Sequence, residues 1–284
     1  MTYGVAGLGL IGGSLLRALG GVGYDADPAV REAATAEGFE VADALDGLRD
    51  AELIFVAVPP GRTYAVVDEV LAAVPDAAVA DTASVKGAVP ERERFVAAHP
   101  MAGSEASGWA SSSADLLRGA TWAACPAGGS LEPLLRLSAA VDALGGRIVP
   151  CSAEEHDAAV ARTSHVPHIV ANALAALAPD TALAGTAFRD MTRVAHADAR
   201  LWAEILTANH AAVAPALDEL IARLAALRGL LGDEEALREE WREAAAPRDA
   251  AWTDEEVAGW DALLGHPVRR VRLDGGAYRA EVAR

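Results

Sequence analysis

The strongest constraint on the fold of this chain is a glycine-rich run close to its N-terminus. Gly7-Leu8-Gly9-Leu10-Ile11-Gly12 follows a short apolar, strand-like segment and opens a stretch with helical character. In such a run Gly7 permits a tight turn, Gly9 lets a phosphate approach the backbone, and Gly12 lets the helix pack closely on the strand. The run therefore predicts a strand, a tight turn and a helix whose N-terminus can bind phosphate.

Asp25 indicates that the phosphate-containing ligand predicted at this turn is a dinucleotide. It ends the second predicted strand, 18 residues after Gly7, where a carboxylate can accept hydrogen bonds from both hydroxyls of an adenosine ribose. The alternative is that Asp25 and Asp27 only begin a turn before Pro28. The combination of strand, glycines, helix, strand and acid favours a cofactor site. Because the carboxylate would repel a 2′-phosphate, and no Arg or Lys occupies positions 26–28, the sequence predicts NAD rather than NADP.

Short apolar runs alternate with helical stretches up to about residue 150, which predicts βαβ units around a mostly parallel sheet. After Cys151 the strand signal nearly disappears, and residues 153–231 are rich in Ala and Leu with helical periodicity. The predicted fold is an α/β Rossmann-type dinucleotide-binding domain over residues 1–150, followed by an all-α helical domain over residues 151–284. The predicted strands are Thr2–Ala6, Val22–Asp25, Leu53–Val58, Ala78–Asp81, Phe95–His99, Trp122–Cys125 and Arg147–Val149, and the predicted helices include Pro28–Glu37, Gly61–Ala73 and Leu131–Leu144.

The last fifty residues carry weaker signals. Asp233–Ala246 and, less strongly, Asp254–Leu264 have helical patterns. Val268–Val282 alternates around Asp274-Gly275-Gly276, and a two-residue connection of this type predicts a hairpin at the end of the helical domain.

The charge balance excludes some classes of partner. Asp and Glu number 41 against 24 Lys and Arg, for a net charge of -17. Nucleic-acid binding needs a basic surface, and an anionic substrate must here be bound by local Arg, His and helix N-termini. The sequence contains no run of about eighteen uncharged apolar residues, so no membrane span is predicted. The N-terminus has no basic leader segment. We therefore expect a cytoplasmic protein that binds a small-molecule substrate and neither nucleic acid nor membrane.

The cysteines and histidines do not suggest a metal. Cys125 and Cys151 lie in apolar surroundings, which predicts a buried reduced pair rather than a disulfide. No Cys and His cluster has the spacing of metal ligands.

Four further segments are distinctive: Asp81-Thr82-Ala83-Ser84-Val85-Lys86-Gly87, His99-Pro100-Met101-Ala102-Gly103-Ser104-Glu105, Thr163-Ser164-His165-Val166-Pro167-His168, and Thr192-Arg193-Val194-Ala195 with Trp202 beyond it. With the glycine-rich run, they resemble the prephenate/arogenate dehydrogenase family and occur in the family's order. Residues beyond about 232 show no such resemblance. The family implies NAD-dependent oxidative decarboxylation of prephenate to 4-hydroxyphenylpyruvate in tyrosine biosynthesis, and a homodimer formed by the helical half.

The implied chemistry requires a proton acceptor. Hydride leaves the hydroxyl-bearing ring carbon, the ring carboxylate departs as CO2, and aromatisation drives the step, so the protein mainly supplies position and a base. His99 follows a strand near the cofactor crevice, and an unperturbed imidazole pKa near 6.5 suits a base at neutral pH. Ser84 is expected to form a second hydrogen bond at the same hydroxyl. The alternative role for His99 is that of a core histidine.

The resemblance also implies substrate-binding residues. It places Arg193 on a substrate carboxylate by a bidentate contact, although a surface role is the common one for arginine. His165 and His168 share one helix face, and His168 is the better candidate to meet the substrate side chain. In the family, the residue that matches Ser164 reaches the active site of the other subunit.

The remaining motif residues have less specific interpretations. Glu105 is expected to pair with Arg193 or to lie in solvent, and Trp202 is expected to pack behind the substrate residues. Lys86 either approaches the cofactor or lies near a helix start. Pro167 is expected to kink its helix, because it removes a backbone hydrogen bond. Structural roles are assigned to His156, His196, His210 and His266.

Three alternative functions and one alternative to the homodimer stay open. Arogenate differs from prephenate by an amine in place of a ketone, and no residue distinguishes the two. Another two-domain hydroxyacid dehydrogenase would carry a catalytic Lys on the helical domain, where this sequence has two histidines instead. A non-catalytic NAD-binding regulator would not need Ser84, His99 and Arg193 together. A large helical subdomain is the alternative to a homodimer as the explanation for helices that are apolar on all sides.

Overall fold

The structure is a computed structural model that describes residues 1–126, 131–178, 182–249, 268–274 and 277–282. An eight-stranded sheet runs through the N-terminal half in the order β3-β2-β1-β4-β5-β6-β7-β8. Neighbouring strands are parallel, except that β6 and β7 are antiparallel. The strands are β1 Tyr3–Ala6, β2 Val22–Tyr24, β3 Glu40–Val41, β4 Leu53–Val56, β5 Ala78–Asp81, β6 Phe95–Pro100, β7 Thr121–Cys125 and β8 Arg147–Pro150.

The order of the first six strands is that of a doubly wound dinucleotide-binding sheet, in which the strand order reverses next to β1. Helices cover both faces: α1 Leu10–Leu19, α2 Pro28–Ala36 and α4 Leu131–Ala143 on one side, and α3 Thr63–Ala73 on the other. Both faces are covered because the strands are apolar on both sides. In β4, Phe55 packs on the side of α1, α2 and α4, and its neighbour Ile54 packs on the side of α3. Strands buried on both faces read as continuous apolar runs, which made them predictable.

The C-terminal half is helical. Its helices are α5 Ala153–Val160, α6 Val166–Leu177, α7 Thr186–Thr192, α8 Ala199–Ala208, α9 His210–Gly229 and α10 Glu234–Asp249. Ser152 caps α5 in a reciprocal capping box with Glu155, which fixes where the first of them begins. The predicted fold class, a Rossmann-type domain followed by a helical domain, is confirmed.

Pro167 is accommodated differently from the prediction of a kink inside one helix. Residues Ala161–His165 form a π-helical turn, and α6 begins anew at Val166 with Pro167 in its first turn. At a helix start the missing N–H of proline has no intrahelical partner to lose. The π turn therefore absorbs the proline between α5 and α6.

Near the C-terminus, β9 Val268–Asp274 and β10 Ala277–Val282 pair antiparallel. The predicted helix over Asp254–Leu264 lies outside the described residues. Among the residues that are described, no helix is both long and apolar enough to cross a membrane. Cys125 and Cys151 are free thiols whose sulfur atoms lie 3.7 Å apart.

Candidate active site

The glycine-rich run forms the turn between β1 and α1. Gly7 has a φ of 97°, and a Cβ added there would lie 2.4 Å from the carbonyl oxygen of Ala57. A Cβ on Gly12 would lie 1.8 Å from the carbonyl oxygen of Gly7, whereas one on Gly9 would meet nothing within 4 Å. Packing inside the protein thus requires the first and third glycines. The second leaves the start of α1 open to a ligand such as a pyrophosphate.

Asp25 stands directly beside this turn. Its Oδ2 accepts a hydrogen bond of 2.7 Å from the backbone N–H of Leu8, and its Oδ1 accepts one of 2.9 Å from that of Asp27. These bonds hold the carboxylate just after β2, at the carboxyl edge of the sheet where a dinucleotide ribose lies. The loop, the helix start and the acid together fit NAD.

His99 lies at the C-terminal end of β6, on the same edge of the sheet. Its ring is partly buried and meets the ring of His156 edge-on, with centroids 5.1 Å apart. The Nδ1 atom of His99 and the Nε2 atom of His156 are 2.9 Å apart, which is a hydrogen bond. His156 was expected to have only a structural role, so this contact with the candidate base was missed.

Asp157 continues the chain of polar contacts. The Nδ1 atom of His156 lies 2.7 Å from Oδ1 of Asp157. The same carboxylate accepts backbone N–H bonds of 2.9 Å from Lys86 and 2.8 Å from Gly87. Burial alone would raise the pKa of Asp157, but these hydrogen bonds outweigh burial and lower it. The sequence alone could not place this pair beside His99, because β8, the strand that precedes it, runs antiparallel to β6.

Lys86 takes neither of its two expected positions. Its side chain is fully buried, with Nζ 2.6 Å from Oδ2 of Asp81 and 2.5 Å from the carbonyl oxygen of Ala98. Asp81 also accepts a bond of 2.7 Å from the backbone N–H of Ala98. The ion pair therefore fastens the end of β5 to β6, beside His99. It also anchors the connection that carries Ser84, two residues before Lys86.

The electrostatic surroundings of His99 correct the expectation of an ordinary imidazole. Burial lowers the pKa of His99 well below 6.5, and the charge of Lys86, with smaller contributions from His156 and His165, lowers it further. Burial likewise lowers the pKa of His165, to about 4. His99 is therefore neutral and able to accept a proton throughout the physiological pH range.

The two histidines on the π turn and α6 gather around Trp202. His168 stacks on its ring at a centroid distance of 3.5 Å, and His165 meets it edge-on at 5.9 Å. His165 is buried and hydrogen-bonds through Nδ1 to the Asn209 side chain. His168 uses its Nδ1 at 2.8 Å from the carbonyl oxygen of Ser164. Of the two histidines, His168 keeps a more accessible ring.

Arg193 and Glu105 join the two halves of the chain. Arg193 begins a short 3-10 turn after α7, and its Nη1 donates to Glu105 at 3.0 Å. Both side chains are exposed, so this pair contributes little to stability. Four other guanidinium N–H groups remain for a substrate carboxylate. The Arg193 charge also acts on His168, whose pKa burial chiefly lowers.

Comparison with known proteins agrees with this geometry. Residues 16–149 match the family model described as prephenate dehydrogenase, nucleotide-binding domain, and residues 152–243 match prephenate dehydrogenase, dimerization domain. A cyclohexadienyl dehydrogenase from Zymomonas mobilis is 32% identical, with 89% of this chain and 97% of the relative covered.

Two solved structures are similar along most of their length. A prephenate dehydrogenase from A. aeolicus, in complex with hydroxyphenyl propionate and NAD+, has a TM-score of 0.78 at 27% identity, covering 87% of this chain and 97% of its own. A Synechocystis arogenate dehydrogenase has a TM-score of 0.73 at 29% identity, covering 88% and 99%.

The fold and the site define an NAD-binding oxidoreductase with a histidine at the edge of its cofactor crevice. The matched models span most of the chain. The chain belongs to the prephenate dehydrogenase family.

Proposed function

We propose that this protein catalyses the NAD-dependent oxidative decarboxylation of prephenate to 4-hydroxyphenylpyruvate in tyrosine biosynthesis. The observation that carries the proposal is His99, a neutral imidazole at the carboxyl edge of the sheet. It ends the sixth strand of the cofactor-binding sheet and hydrogen-bonds to His156 of the helical half. The family models support the same reaction.

Each proposed residue has one task in this reaction. NAD, when bound, takes up the hydride from the hydroxyl-bearing ring carbon. His99 accepts the hydroxyl proton as the hydride leaves and returns it to the phenolic oxygen once the ring carboxylate has departed as CO2. The electrons of the broken C–C bond complete the aromatic ring, so no net proton is released by the protein. Ser84 forms the second hydrogen bond at the hydroxyl, and Arg193 holds a carboxylate.

One observation favours arogenate as a second candidate substrate. His168 is the candidate residue for contact with the substrate side chain, and a ketone there needs a hydrogen-bond donor. Since Nδ1 of His168 faces the Ser164 carbonyl, a neutral ring must donate there and present an acceptor at Nε2. An acceptor suits the ammonium group of arogenate better than the ketone of prephenate.

Steady-state kinetics with both substrates and NAD test the proposal. We expect NADH formation with prephenate, and a kcat/KM for prephenate at least equal to that for arogenate. A tenfold preference for arogenate, about 1.4 kcal/mol of transition-state discrimination, would instead make arogenate the substrate. If neither compound produces NADH, the protein is not a dehydrogenase of this class.

The cofactor preference can be reversed at Asp25. Replacing Asp25 with Ser and Ala26 with Arg removes the carboxylate that accepts the ribose hydroxyls and adds a cation for a 2′-phosphate. We expect kcat/KM to shift from NAD towards NADP by at least tenfold. The single variant Asp27→Asn is the control, because the side chain of Asp27 accepts a hydrogen bond from the backbone N–H of Ala29 and caps α2. Equal use of NAD and NADP by the unmodified protein would contradict the role of Asp25.

We also propose a homodimer formed by the helical half. Large apolar side chains lie exposed there, including Leu177 at 79%, Leu231 at 71% and Met191 at 56% of their surface. Such a surface is expensive to leave in water and is typical of an interface. The dimerization-domain model over residues 152–243 supports the proposal. In the dimer, Ser164 is expected to reach the partner's site. Sedimentation at micromolar concentration should give twice the monomer mass.

A further inference from the structure

We propose that Asp157 and His156 act as positioning residues that hold His99 in a single tautomer, with its proton on Nδ1 and its lone pair on Nε2. This inference rests on the proposed function, because it concerns how the candidate base is made ready. It adds two residues to the site that the sequence analysis did not assign to catalysis.

The argument begins at Asp157, which can only accept hydrogen bonds. Two backbone N–H groups, those of Lys86 and Gly87, already donate to its oxygens. These donors and the lowered pKa keep the carboxylate ionised. An ionised carboxylate 2.7 Å from Nδ1 of His156 requires that this nitrogen carry a proton.

The proton position on His156 then determines that on His99. A neutral imidazole with its proton on Nδ1 has a lone pair on Nε2. That lone pair lies 2.9 Å from Nδ1 of His99, so Nδ1 of His99 must be the donor. With its proton on Nδ1, a neutral His99 keeps the lone pair of Nε2 free for the substrate hydroxyl.

The His156 side chain lies inside the protein and is 1% exposed. Besides His156, the charged and titratable groups that act on the facing His99 ring are Lys86, before β6, and His165, on the π turn. Asp157 is the carboxylate in contact with the pair. We infer that the carboxylate stabilises His99 through His156 when His99 becomes protonated during the reaction, as the aspartate of a Ser-His-Asp triad does.

Nitrogen NMR tests the tautomer directly and needs no substrate. In 15N-labelled protein at pH 7.5, we expect a protonated-type shift for Nδ1 of His99 and an unprotonated-type shift for Nε2. His156 should show the same pattern. The His99→Asn variant assigns the His99 signals by their loss. A His99 ring protonated on Nε2 would overturn the proposal whatever the activity of the enzyme.

The kinetics of two His156 variants test whether the contact between His156 and His99 supports catalysis. His156→Leu fills the buried space but removes the acceptor for His99, whereas His156→Gln can place a carbonyl oxygen near the lost Nε2. We expect kcat to fall roughly 10²-fold in His156→Leu, less than the ~10⁴-fold cost of a misdirected tautomer in the Ser-His-Asp triad. KM should change less than threefold, since His156 lies behind His99. His156→Gln should recover kcat to within tenfold of the original enzyme.

A matched control separates this effect from loss of packing. Val160→Ala opens space on the same helix at a residue that is only 4% exposed. It should lower thermal stability while leaving kcat and the His99 tautomer unchanged. If His156→Leu keeps full kcat, or if His156→Gln is as slow as His156→Leu, the positioning role is wrong. Absence of NADH formation by the unmodified protein would overturn the proposed function instead. The NMR experiment would still test the tautomer of His99, because it needs no substrate.

Discussion

Replacing His99 with Asn should lower kcat by roughly 10²–10⁴, the usual contribution of a positioned acid–base group. Asn keeps polarity and part of the ring's shape, and it retains an amide N–H near the position of Nδ1. The fold and the affinity for NAD should therefore be unchanged. Rapid-mixing and steady-state measurements of NADH formation with saturating prephenate and NAD would give the ratio.

The pH profile supplies the second half of this prediction. A base must be neutral to act, so activity rises with pH through its pKa. Because burial and the charge of Lys86 lower the pKa of His99 well below 6.5, kcat/KM should already be level at neutral pH and fall only in more acidic solution. His99→Asn should abolish that acid limb. His210→Asn, at an exposed histidine that begins α9, is the control. A variant that loses NAD affinity and stability but keeps its acid limb would show His99 to be structural.

The largest expected effect on stability comes from Lys86. Lys86→Met should reduce the free energy of unfolding by about 3–5 kcal/mol, because it leaves the buried carboxylate of Asp81 without its counter-ion. Denaturation in urea would measure this as a lower midpoint with an unchanged m-value. The double variant Lys86→Met with Asp81→Asn should recover at least half of the loss, since the remaining side chain is neutral.

An exposed ion pair offers the matched comparison. Arg162 contacts Glu219 at 2.8 Å with both side chains more than half exposed. Arg162→Met should cost less than about 1 kcal/mol, as surface pairs do. A similar small loss in Lys86→Met would mean that Asp81 takes up a proton or water at little cost, and that the pair does not secure β5 against β6.

The parts of the molecule that were predictable are those in which neighbouring residues share one environment. β5 was predicted with its observed bounds because all four of its residues, on both faces of the strand, are buried. The glycine-rich turn was predictable because the spacing of its glycines forms a local motif, although the atom that excludes a side chain at Gly7, the carbonyl oxygen of Ala57, is distant in sequence. By contrast, β3 contains two residues, too few to show any periodicity.

The contacts that bring His156 and Asp157 to the site cross long distances in sequence. His99 and His156 are 57 residues apart, and Asp157 meets Lys86 at a separation of 71. A single sequence shows that His156 and Asp157 follow a strand, but not which other strand end faces them. The pair of Lys86 with Asp81 is close in sequence, but its complete burial was not predictable, because a lysine is rarely buried unless it is paired.

The π turn between α5 and α6 determines the direction in which the side chains of α6, including His168, point. Such a turn holds one residue more than the α-helical path it replaces. The extra residue is therefore absorbed within the turn. If Ala161–His165 instead formed an ordinary α-helix with the same number of residues, every side chain of α6 would turn by about 100° relative to α5. His168 would then face away from Trp202. A sequence with the same motifs and length but no π turn should therefore differ in what it recognises, whereas deletion of the extra residue should leave His168 facing Trp202.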